Sequence, residues 1–363
     1  MENGIYRKLA KVLDTLPSGF PATPDGVEIK LLKKIFNPDE AELFCRLTLN
    51  FETPEQVADR IGEAPGTIAP MLETMRDKGQ VFGIDLGDVK LYKMMPWVFG
   101  IYEFQMPRMD RELAELSETY AKTFGTRFFN EKPQHFQVIP IEAEIENDQR
   151  ALPYERVSNI IENSQSFAYF DCVCKKERGL LDAPCDRPLQ VCTAYAPIPG
   201  MFDNHPHFNA MTQEEARALL QKAEKEALVH LTWNVQSGHY FICNCCGCCC
   251  GVLRAINELG IDAGNVINSH YYAEIDADLC TGCGVCADER CQVRAIGEDG
   301  DGYRVIPDRC IGCGLCIAEC PTGAVAMVRK PEDRIEPPPQ DEMAWNKARA
   351  QMRGIDISEF VKK

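Results

Sequence analysis

The sequence predicts an α+β protein made of several domains, and three features of the chain favour this fold class. Its 363 residues are enough for two or three separate hydrophobic cores. Residues 24–100 contain helical patterns followed by a pair of strand patterns. Of the 19 cysteines, all but Cys45 lie after residue 170, so the composition changes along the chain. We predict segments with these boundaries: 1–105, 106–150, 151–270, 271–330 and 331–363.

The net charge restricts the partners that the protein can bind. Asp and Glu number 55 against 39 Lys and Arg, which gives a formal charge of −16 and a pI near 4.9. An acidic surface repels phosphate backbones, so binding to nucleic acid or to an anionic membrane is disfavoured. Docking on basic patches of partner proteins is favoured instead.

The compartment that the sequence indicates makes metal binding a better explanation of the cysteines than disulfides. No apolar run approaches the ~20 residues of a membrane-spanning helix. The stretch "MENGIYRKLAKVLDTLPSGFP" carries charges every few positions and lacks the apolar stretch of a secretory signal. We therefore expect a cytoplasmic protein. Thiols stay reduced in that compartment, so the cysteines are better explained as metal ligands than as disulfides.

The segment 1–105 has the element order of a winged-helix domain preceded by an N-terminal helix. Helices are predicted in "DEAELFCRLTL", "TPEQVADRIG" and "APGTIAPMLETMRDKG", followed by a two-strand wing, "VFGIDLGDVKLYKMM". Thr53 is the predicted N-cap of the second of these helices, and Pro54 is its first residue. Cys45 is predicted to be a buried core residue. The order of elements is typical of DNA-binding domains.

The charges of this winged-helix-like segment disfavour DNA binding. Between Thr53 and Lys78 there are five acidic and three basic residues, whereas a DNA-reading surface is positively charged. Pro70 also falls within the presumed recognition helix. Protein docking, or dimerisation through this segment, is therefore the favoured use.

Further helices are predicted outside the front segment. An amphipathic helix, "MDRELAELSETYAKTF", is followed by a polar linker, "IEAEIENDQRALP". The stretch "MTQEEARALLQKAEKEALVH" predicts a helix with a capping box formed by Thr212 and Glu215. A Pro-rich spacer, "KPEDRIEPPPQDE", precedes a C-terminal helix whose Trp345 we expect to dock on the body of the protein or on a partner.

The segment 271–330 contains two copies of a cysteine motif. "DLCTGCGVCA" and "DRCIGCGLCI" align over ten positions at a period of 30 residues, which indicates an internal duplication. Glycines at 282, 284, 312 and 314 permit the close backbone approach that a loop around a cluster needs. Zinc is disfavoured, because its paired cysteines are usually separated by longer loops. The C-x2-C-x2-C spacing is typical of [4Fe–4S] clusters.

These motifs resemble those of the bacterial two-[4Fe–4S] ferredoxins. In that family the fourth cysteine of each motif binds the other cluster. The resemblance therefore implies two clusters, each held by three cysteines of one motif and one cysteine of the other. The first set is Cys280, Cys283, Cys286 and Cys320, and the second is Cys310, Cys313, Cys316 and Cys291.

The first motif departs from the ferredoxin pattern at two positions. Four residues, "ADER", separate Cys286 from Cys291 where the family usually has three, and Gln292 replaces the usual Pro. One extra residue is tolerable in a surface helical turn, so Cys291 is kept as a ligand. Between the motifs, "AIGEDGDGYRVI" predicts a β-hairpin with a Gly-rich turn, and it lacks the ligands of a calcium loop.

Ten cysteines in the segment 151–270 remain, and they fall in two groups. The groups are Cys172, Cys174, Cys185 and Cys192, and Cys243, Cys245, Cys246, Cys248, Cys249 and Cys250. Adjacent side chains point apart, so six thiols from one short stretch cannot all bind one metal centre. "GVLRAINELG", a predicted helix ending at Gly260, follows directly, and its N-terminus would favour an anionic cluster.

These ten thiols suffice for two further cubes, for one cube and a zinc site, or for one unusual cluster. We favour at least one further [4Fe–4S] cluster, built with cysteines of both groups, because clusters become useful when they form a relay, with four-thiolate zinc as the alternative. The candidate sets are Cys172, Cys174, Cys185 and Cys192, and Cys243, Cys245 or Cys246, Cys248, and Cys249 or Cys250. The histidines are not predicted as ligands: His205 and His207 as loop residues, and His230, His239 and His270 as packing or hydrogen-bonding groups.

The order of the segments resembles a group of dicluster ferredoxin-like proteins of anaerobes, which have a winged-helix front and a "CNCCxCCC" middle region. The resemblance covers most of the chain and implies cluster binding, but no particular role. A G-x-G-x-x-A string at 282–287 lies inside a cluster loop and does not indicate a nucleotide site.

Without a hydride carrier, the protein must transfer single electrons. We predict an iron–sulfur electron carrier or an electron-transfer subunit of an anaerobic redox complex, rather than a stand-alone enzyme. Its partners would be the redox proteins that donate and accept the electrons. The alternatives are a redox-sensing winged-helix regulator and a reductase with a substrate-binding cluster in the segment 151–270.

Overall fold

The computed structural model describes residues 2–145 and 151–361. The front of the chain is a group of helices that ends in a hairpin. These elements are α1 (Glu2–Asp14), α2 (Val27–Ile35), α3 (Pro38–Phe44), α4 (Pro54–Ile61), α5 (Pro65–Asp77), β1 (Val81–Asp85) and β2 (Lys90–Met94). From α3 onward this is the order of elements that the sequence predicts. Its assignment as a winged helix stays a prediction.

Local signals in the sequence set the boundaries of these helices. The side chain of Thr53 accepts a hydrogen bond from the backbone of Gln56, and Pro54 is the first residue of α4, as predicted. The helix predicted in "DEAELFCRLTL" is shorter than expected, because α3 ends at Phe44. Cys45 therefore lies at a helix end and is half-buried rather than fully buried.

The middle of the chain alternates strands and helices. In chain order they are α6 (Tyr102–Phe104), α7 (Arg111–Phe128), β3 (Phe136–Val138), α8 (Val157–Glu162), β4 (Ser166–Asp171), α9 (Val173–Leu180), β5 (Gln190–Ala196), β6 (Asn209–Met211), α10 (Gln213–Lys225), β7 (Val229–Trp233), β8 (Phe241–Cys245), α11 (Gly251–Asn257), α12 (Ala263–Val266) and β9 (Ile267–Asn268). The predicted capping box of Thr212 and Glu215 is present. The predicted linker forms a 3-10 turn at Glu142–Ile145, and its residues 146–150 lie outside the described residues.

The middle strands form a seven-stranded sheet in the order β6-β4-β5-β8-β7-β3-β9. The pair β3–β9 is parallel, and the other neighbours are antiparallel. Side chains on the two faces of β8 alternate between two apolar clusters: Ile242 packs with α8 and α10, whereas Phe241 and Cys243 face the front helices. Both faces of the sheet are covered, which places the thiols of β5 and β8 inside the protein.

The C-terminal part carries short strands and a final helix. These are β10 (Tyr271–Ile275), β11 (Ile296–Asp299), β12 (Gly302–Val305), β13 (Val325–Arg329) and α13 (Glu342–Arg353). The strands β11 and β12 form the hairpin that the sequence predicts, and β10 pairs with β13. None of the helices within the described ranges is long and apolar enough to cross a membrane.

The C-terminal helix packs against the core, as expected for Trp345. This side chain is 1% exposed, and its Nε1 donates a hydrogen bond to the carbonyl of Gln134 at 2.9 Å. One apolar cluster includes Leu9, Phe136 and Leu315 together with Trp345, so every predicted segment contributes to or contacts the same core. The boundaries between these segments remain predictions.

Replacing Trp345 with Ala should lower the free energy of unfolding by about 3–5 kcal/mol, because a buried aromatic side chain and its hydrogen bond are lost. Chemical denaturation of anaerobically prepared protein measures this. Met352, in the same helix, is 45% exposed, so Met352→Ala is the control and should cost less than about 0.5 kcal/mol. Equal losses in the two variants would contradict docking through Trp345.

Candidate metal centres

Four cysteines from both repeats surround one small cavity, with Tyr303 beside them. They are Cys280, Cys283, Cys286 and Cys320. Burial acts to raise the pKa of Cys320, but hydrogen bonds from the backbone and hydroxyl of Thr322 outweigh it and lower that pKa. The cavity thus brings together the set that the ferredoxin resemblance implies, with the fourth thiol polarised by donors.

A second group of thiols lies deeper, against the main core. It consists of Cys291, Cys310, Cys313 and Cys316, whose charges interact with one another. The Sγ of Cys291 accepts a hydrogen bond from the amide of Ala295 at 3.1 Å, and that of Cys310 from the amide of Ala273 at 3.4 Å. Burial raises the pKa of Cys313 to about 12, so at neutral pH this thiol would keep its proton unless a metal ion binds the sulfur.

The backbone of the first repeat absorbs its extra residue in a single turn. Residues Cys286–Arg290 form one turn of π-helix, in which the amide of Cys291 donates to the carbonyl of Cys286 at 3.1 Å. Gly282 and Gly312 have φ of 67° and 64°, and a Cβ at either would lie within 2.3 Å of a carbonyl oxygen. The loop therefore needs glycine at these points, and Cys291 still reaches the second group.

Gln292, which stands where ferredoxins usually have Pro, joins the two cysteine-rich regions. Its Oε1 accepts a hydrogen bond from the amide of Gly247 at 2.9 Å. Asn257 donates to the carbonyl of Gln292 at 2.9 Å, and a Cβ on Gly247 would collide with that carbonyl. Proline offers no side-chain acceptor, so the departure from the pattern has a structural reason.

Four of the ten middle thiols form a compact group that we call the four-thiol site. Its members, Cys185, Cys246, Cys248 and Cys249, have Sγ atoms that all lie within 4.8 Å of one another. The Sγ–Sγ distances are 3.8 Å for Cys185 and Cys246, 3.6 Å for Cys185 and Cys248, and 3.7 Å for Cys248 and Cys249. A tetrahedral zinc ion with Zn–S bonds of about 2.3 Å separates its thiolates by about 3.8 Å. The spacing fits one zinc ion, whereas a cube places four irons between its ligands.

The other six middle thiols form a closed circuit, which we call the six-thiol ring. Each thiol lies close enough to two others to shift their pKa values, in the cyclic order Cys172, Cys174, Cys250, Cys245, Cys243 and Cys192. Five of the six are at most 9% exposed, and Cys174 is half-buried. The pKa of Cys174 is raised by the neighbouring Cys172 and Cys250 thiols and by burial. Six thiolates exceed the four that zinc accepts, so the ring fits a polynuclear centre.

The surroundings of the ring favour negative charge. Cys172 and Cys250 are the N-cap residues of α9 and α11, so the backbone amides of both helices begin at the ring. Lys175 is buried, and its charge lowers the pKa of Cys172 in the ring and of Cys246 in the four-thiol site. Its Nζ donates to the carbonyl of Pro188 at 2.7 Å, which fixes the cation between the two sites.

Polar contacts connect the ring to the C-terminal repeats. Asn244 lies between two ring cysteines on β8 and contacts His230, which in turn contacts Glu224. Arg290, within the first repeat, donates to the carbonyl of Glu224 at 2.8 Å and to that of Leu315 at 3.0 Å. Leu315 precedes a cysteine of the second group, so this network fixes the ring relative to the repeats.

A family model of the 4Fe-4S binding domain matches residues 303–326 of the chain. The matched residues contain the second repeat, with Cys310, Cys313, Cys316 and Cys320. No solved structure matches the chain. The match and the cysteine-rich region together support an iron–sulfur protein whose four-iron clusters bind cysteine thiolates.

The structure groups the middle cysteines differently from the predicted sets. Cys185, from the first predicted set, lies with Cys246, Cys248 and Cys249 in the four-thiol site. The other members of that set are Cys172, Cys174 and Cys192, and they lie in the six-thiol ring with Cys243, Cys245 and Cys250. Zinc, the alternative to a further cube, fits the four-thiol site better. The alternation along β8 offered a signal, because Cys243 and Cys245 lie on one face and Cys246 follows the strand.

Replacing Cys185 with Ser should reduce bound zinc from about one ion per chain to nearly none, because one of four thiolates is lost. Elemental analysis of anaerobically purified protein measures the zinc and iron contents, and the iron content should stay unchanged. Cys45→Ser is the control, since Cys45 is remote in sequence and belongs to neither site. Loss of iron with no change in zinc would show that the four-thiol site holds a cluster.

Proposed function

We propose that the protein is an electron-transfer protein with two [4Fe–4S] clusters in the C-terminal repeats and a third, polynuclear iron–sulfur centre in the six-thiol ring. A zinc ion in the four-thiol site would hold the loop after β8 in place. The observation that supports this best is the clustering of eighteen cysteines into four compact groups, each suited to one centre. When bound, each iron–sulfur cluster would accept and donate one electron at a time.

The arrangement of the groups supports a relay. Cys286 of the first set and Cys316 of the second belong to one small apolar cluster, and their charges interact. From the second set, Arg290 and Gln292 connect to elements that hold the ring and the four-thiol site. Electrons would enter at the cluster bound by the exposed Cys283 and pass inward to the centre in the six-thiol ring. The hydrogen bonds of Arg290 and Gln292 would keep the distances between these centres fixed.

Docking of a redox partner is the proposed use of the front segment, and paired charges support it. Arg60 is bonded to Glu52 at 2.7 Å, and Lys78 is bonded to Glu40 at 2.6 Å. Arg76, in α5, is 9% exposed at its side chain and lies 3.0 Å from Asp77. These three bases are already neutralised by carboxylates, so they offer little to a phosphate backbone. The regulator alternative is therefore disfavoured.

Heparin chromatography tests this use of the front segment. The protein should pass through a heparin column at about 0.1 M salt, because Arg60, Arg76 and Lys78 are paired with carboxylates and the chain carries a formal charge of −16. Retention that falls with salt, together with sequence-dependent binding to DNA, would instead support a regulator. The oxidised and the dithionite-reduced protein are both run, since a redox switch would retain only one of them.

Anaerobic purification followed by iron, sulfide and zinc analysis tests the proposed centres. Two cubes hold about 8 iron atoms, and a polynuclear centre in the ring raises the content to about 12 or more per chain. We expect at least 12 iron atoms with matching sulfide and one zinc. A content of about 8 iron atoms would remove the ring centre from the proposal.

Replacing Cys313 with Ser should remove one four-iron signal from the electron paramagnetic resonance spectrum of the reduced protein. The buried serine hydroxyl is a poor ligand for iron, so about four iron atoms should be lost. Cys45→Ser again serves as the control and should retain the full spectrum. Full iron content in Cys313→Ser would contradict the assignment of this residue as a ligand.

A further inference from the structure

A large cavity lies beside the six-thiol ring, between the front segment, the central sheet and α13. Its volume is about 750 Å³, which is within the range of pockets for small organic molecules. Aromatic side chains dominate its wall. They include Phe99, Phe104, Phe170, Trp233, Phe241 and Trp345. Flat aromatic surfaces of this kind suit a planar, largely apolar molecule.

The strands that carry the ring also carry the wall of the cavity. On β8, Phe241 lines the cavity and Cys243 belongs to the ring, two residues further along the same face. On β5 the same holds for Ala194 and Cys192, and Ala194 pairs with Phe241. Residues two apart in a strand are separated by about 7 Å. A molecule against this wall is therefore within short reach of the ring for electron transfer.

Buried polar atoms in the wall have no protein partner among the residues that the structure describes. They are both ring nitrogens of His135 and the Nε1 of Trp233, at side chains that are each 4% exposed, with the Nε2 of His239 nearby in the wall. Trp233 offers only a donor, and a neutral imidazole offers one donor and one acceptor. Such groups are costly to bury unpaired, so they suit the carbonyl oxygens of a bound molecule.

Resting on the proposed function, we infer that this cavity binds a quinone-type molecule, a planar ring with carbonyl oxygens, and that the centre in the six-thiol ring reduces it. The quinone takes two electrons, one at a time, from the reduced clusters and two protons from solvent, and is released as the hydroquinone. No bond to the protein is formed. The clusters are reduced again by the electron donor.

The carboxyl group of Glu103 is placed to serve the protons. It lines the cavity, and its Oε2 accepts a hydrogen bond from the amide of Gly100 at 2.7 Å. Burial raises the pKa of Glu103 to about 8, so this group holds a proton near neutral pH. It can therefore pass a proton from the solvent to an oxygen atom in the cavity.

The probe for the test is 2-methyl-1,4-naphthoquinone, with full-length protein purified anaerobically. Calorimetric titration of the oxidised protein should show saturable binding to about one site per chain, and reoxidation of the dithionite-reduced protein should saturate with the quinone. Trp233→Phe keeps an aromatic side chain but removes the Nε1–H donor, so it should weaken quinone binding about fivefold, with iron content unchanged. Trp97→Phe is the matched control, because Trp97 is buried but does not line the cavity.

Met201 provides a second variant, should Trp233→Phe lose its fold. Met201 lines the cavity from a loop, and Met201→Trp should narrow the space and raise the quinone concentration needed for saturation while keeping the metals. The inference is overturned if no binding heat appears and if reoxidation rises linearly with quinone and equally in all variants. That result, with full iron content, would still support the proposed electron transfer, because linear reoxidation is expected when quinone molecules collide with exposed clusters without binding. Absence of iron–sulfur clusters from the anaerobically purified protein would instead contradict the proposed function.

Discussion

The interaction on which this structure depends is the bonding of crowded, buried thiols to metal ions. Without a metal, neighbouring thiolates repel one another and burial disfavours their charge, as the raised pKa of Cys174 and Cys245 shows. Bonding to iron or zinc removes the protons and offsets both costs. The free energy of metal binding is thus part of the free energy of folding in the cysteine-rich part of this chain.

The central sheet divides the crowded thiols into distinct groups. Cys192 on β5 and Cys243 on β8 lie on one covered face, so they meet across neighbouring strands. Cys246 follows the end of β8, and its thiol meets Cys185 instead. A strand places alternate residues on opposite faces, and a turn redirects the residues after it. The fold thereby separates a ring of six thiols from a group of four within one stretch of sequence.

Packing of the front segment and α13 against the same sheet creates the other notable feature, a cavity beside the ring. Phe99 stacks on Phe241 with ring centroids 4.0 Å apart, and His135 stacks on Trp233 at 5.6 Å. These contacts join the aromatic wall to the strand that carries Cys243. The front segment therefore has a structural role next to the six-thiol ring, in addition to the docking role proposed for it.

Features that depend on local spacing could be predicted from the amino-acid sequence. The two repeats, the hairpin between them and the caps at Thr53 and Thr212 follow from residues close together in the chain. Which middle thiols meet depends on the packing of distant segments, because Cys185 reaches Cys248 across 63 positions of the chain. The same holds for the cavity, whose wall joins Phe99, Phe241 and Trp345. Spacing cannot predict such contacts, since strand pairing and helix packing bring together residues that are remote in the chain.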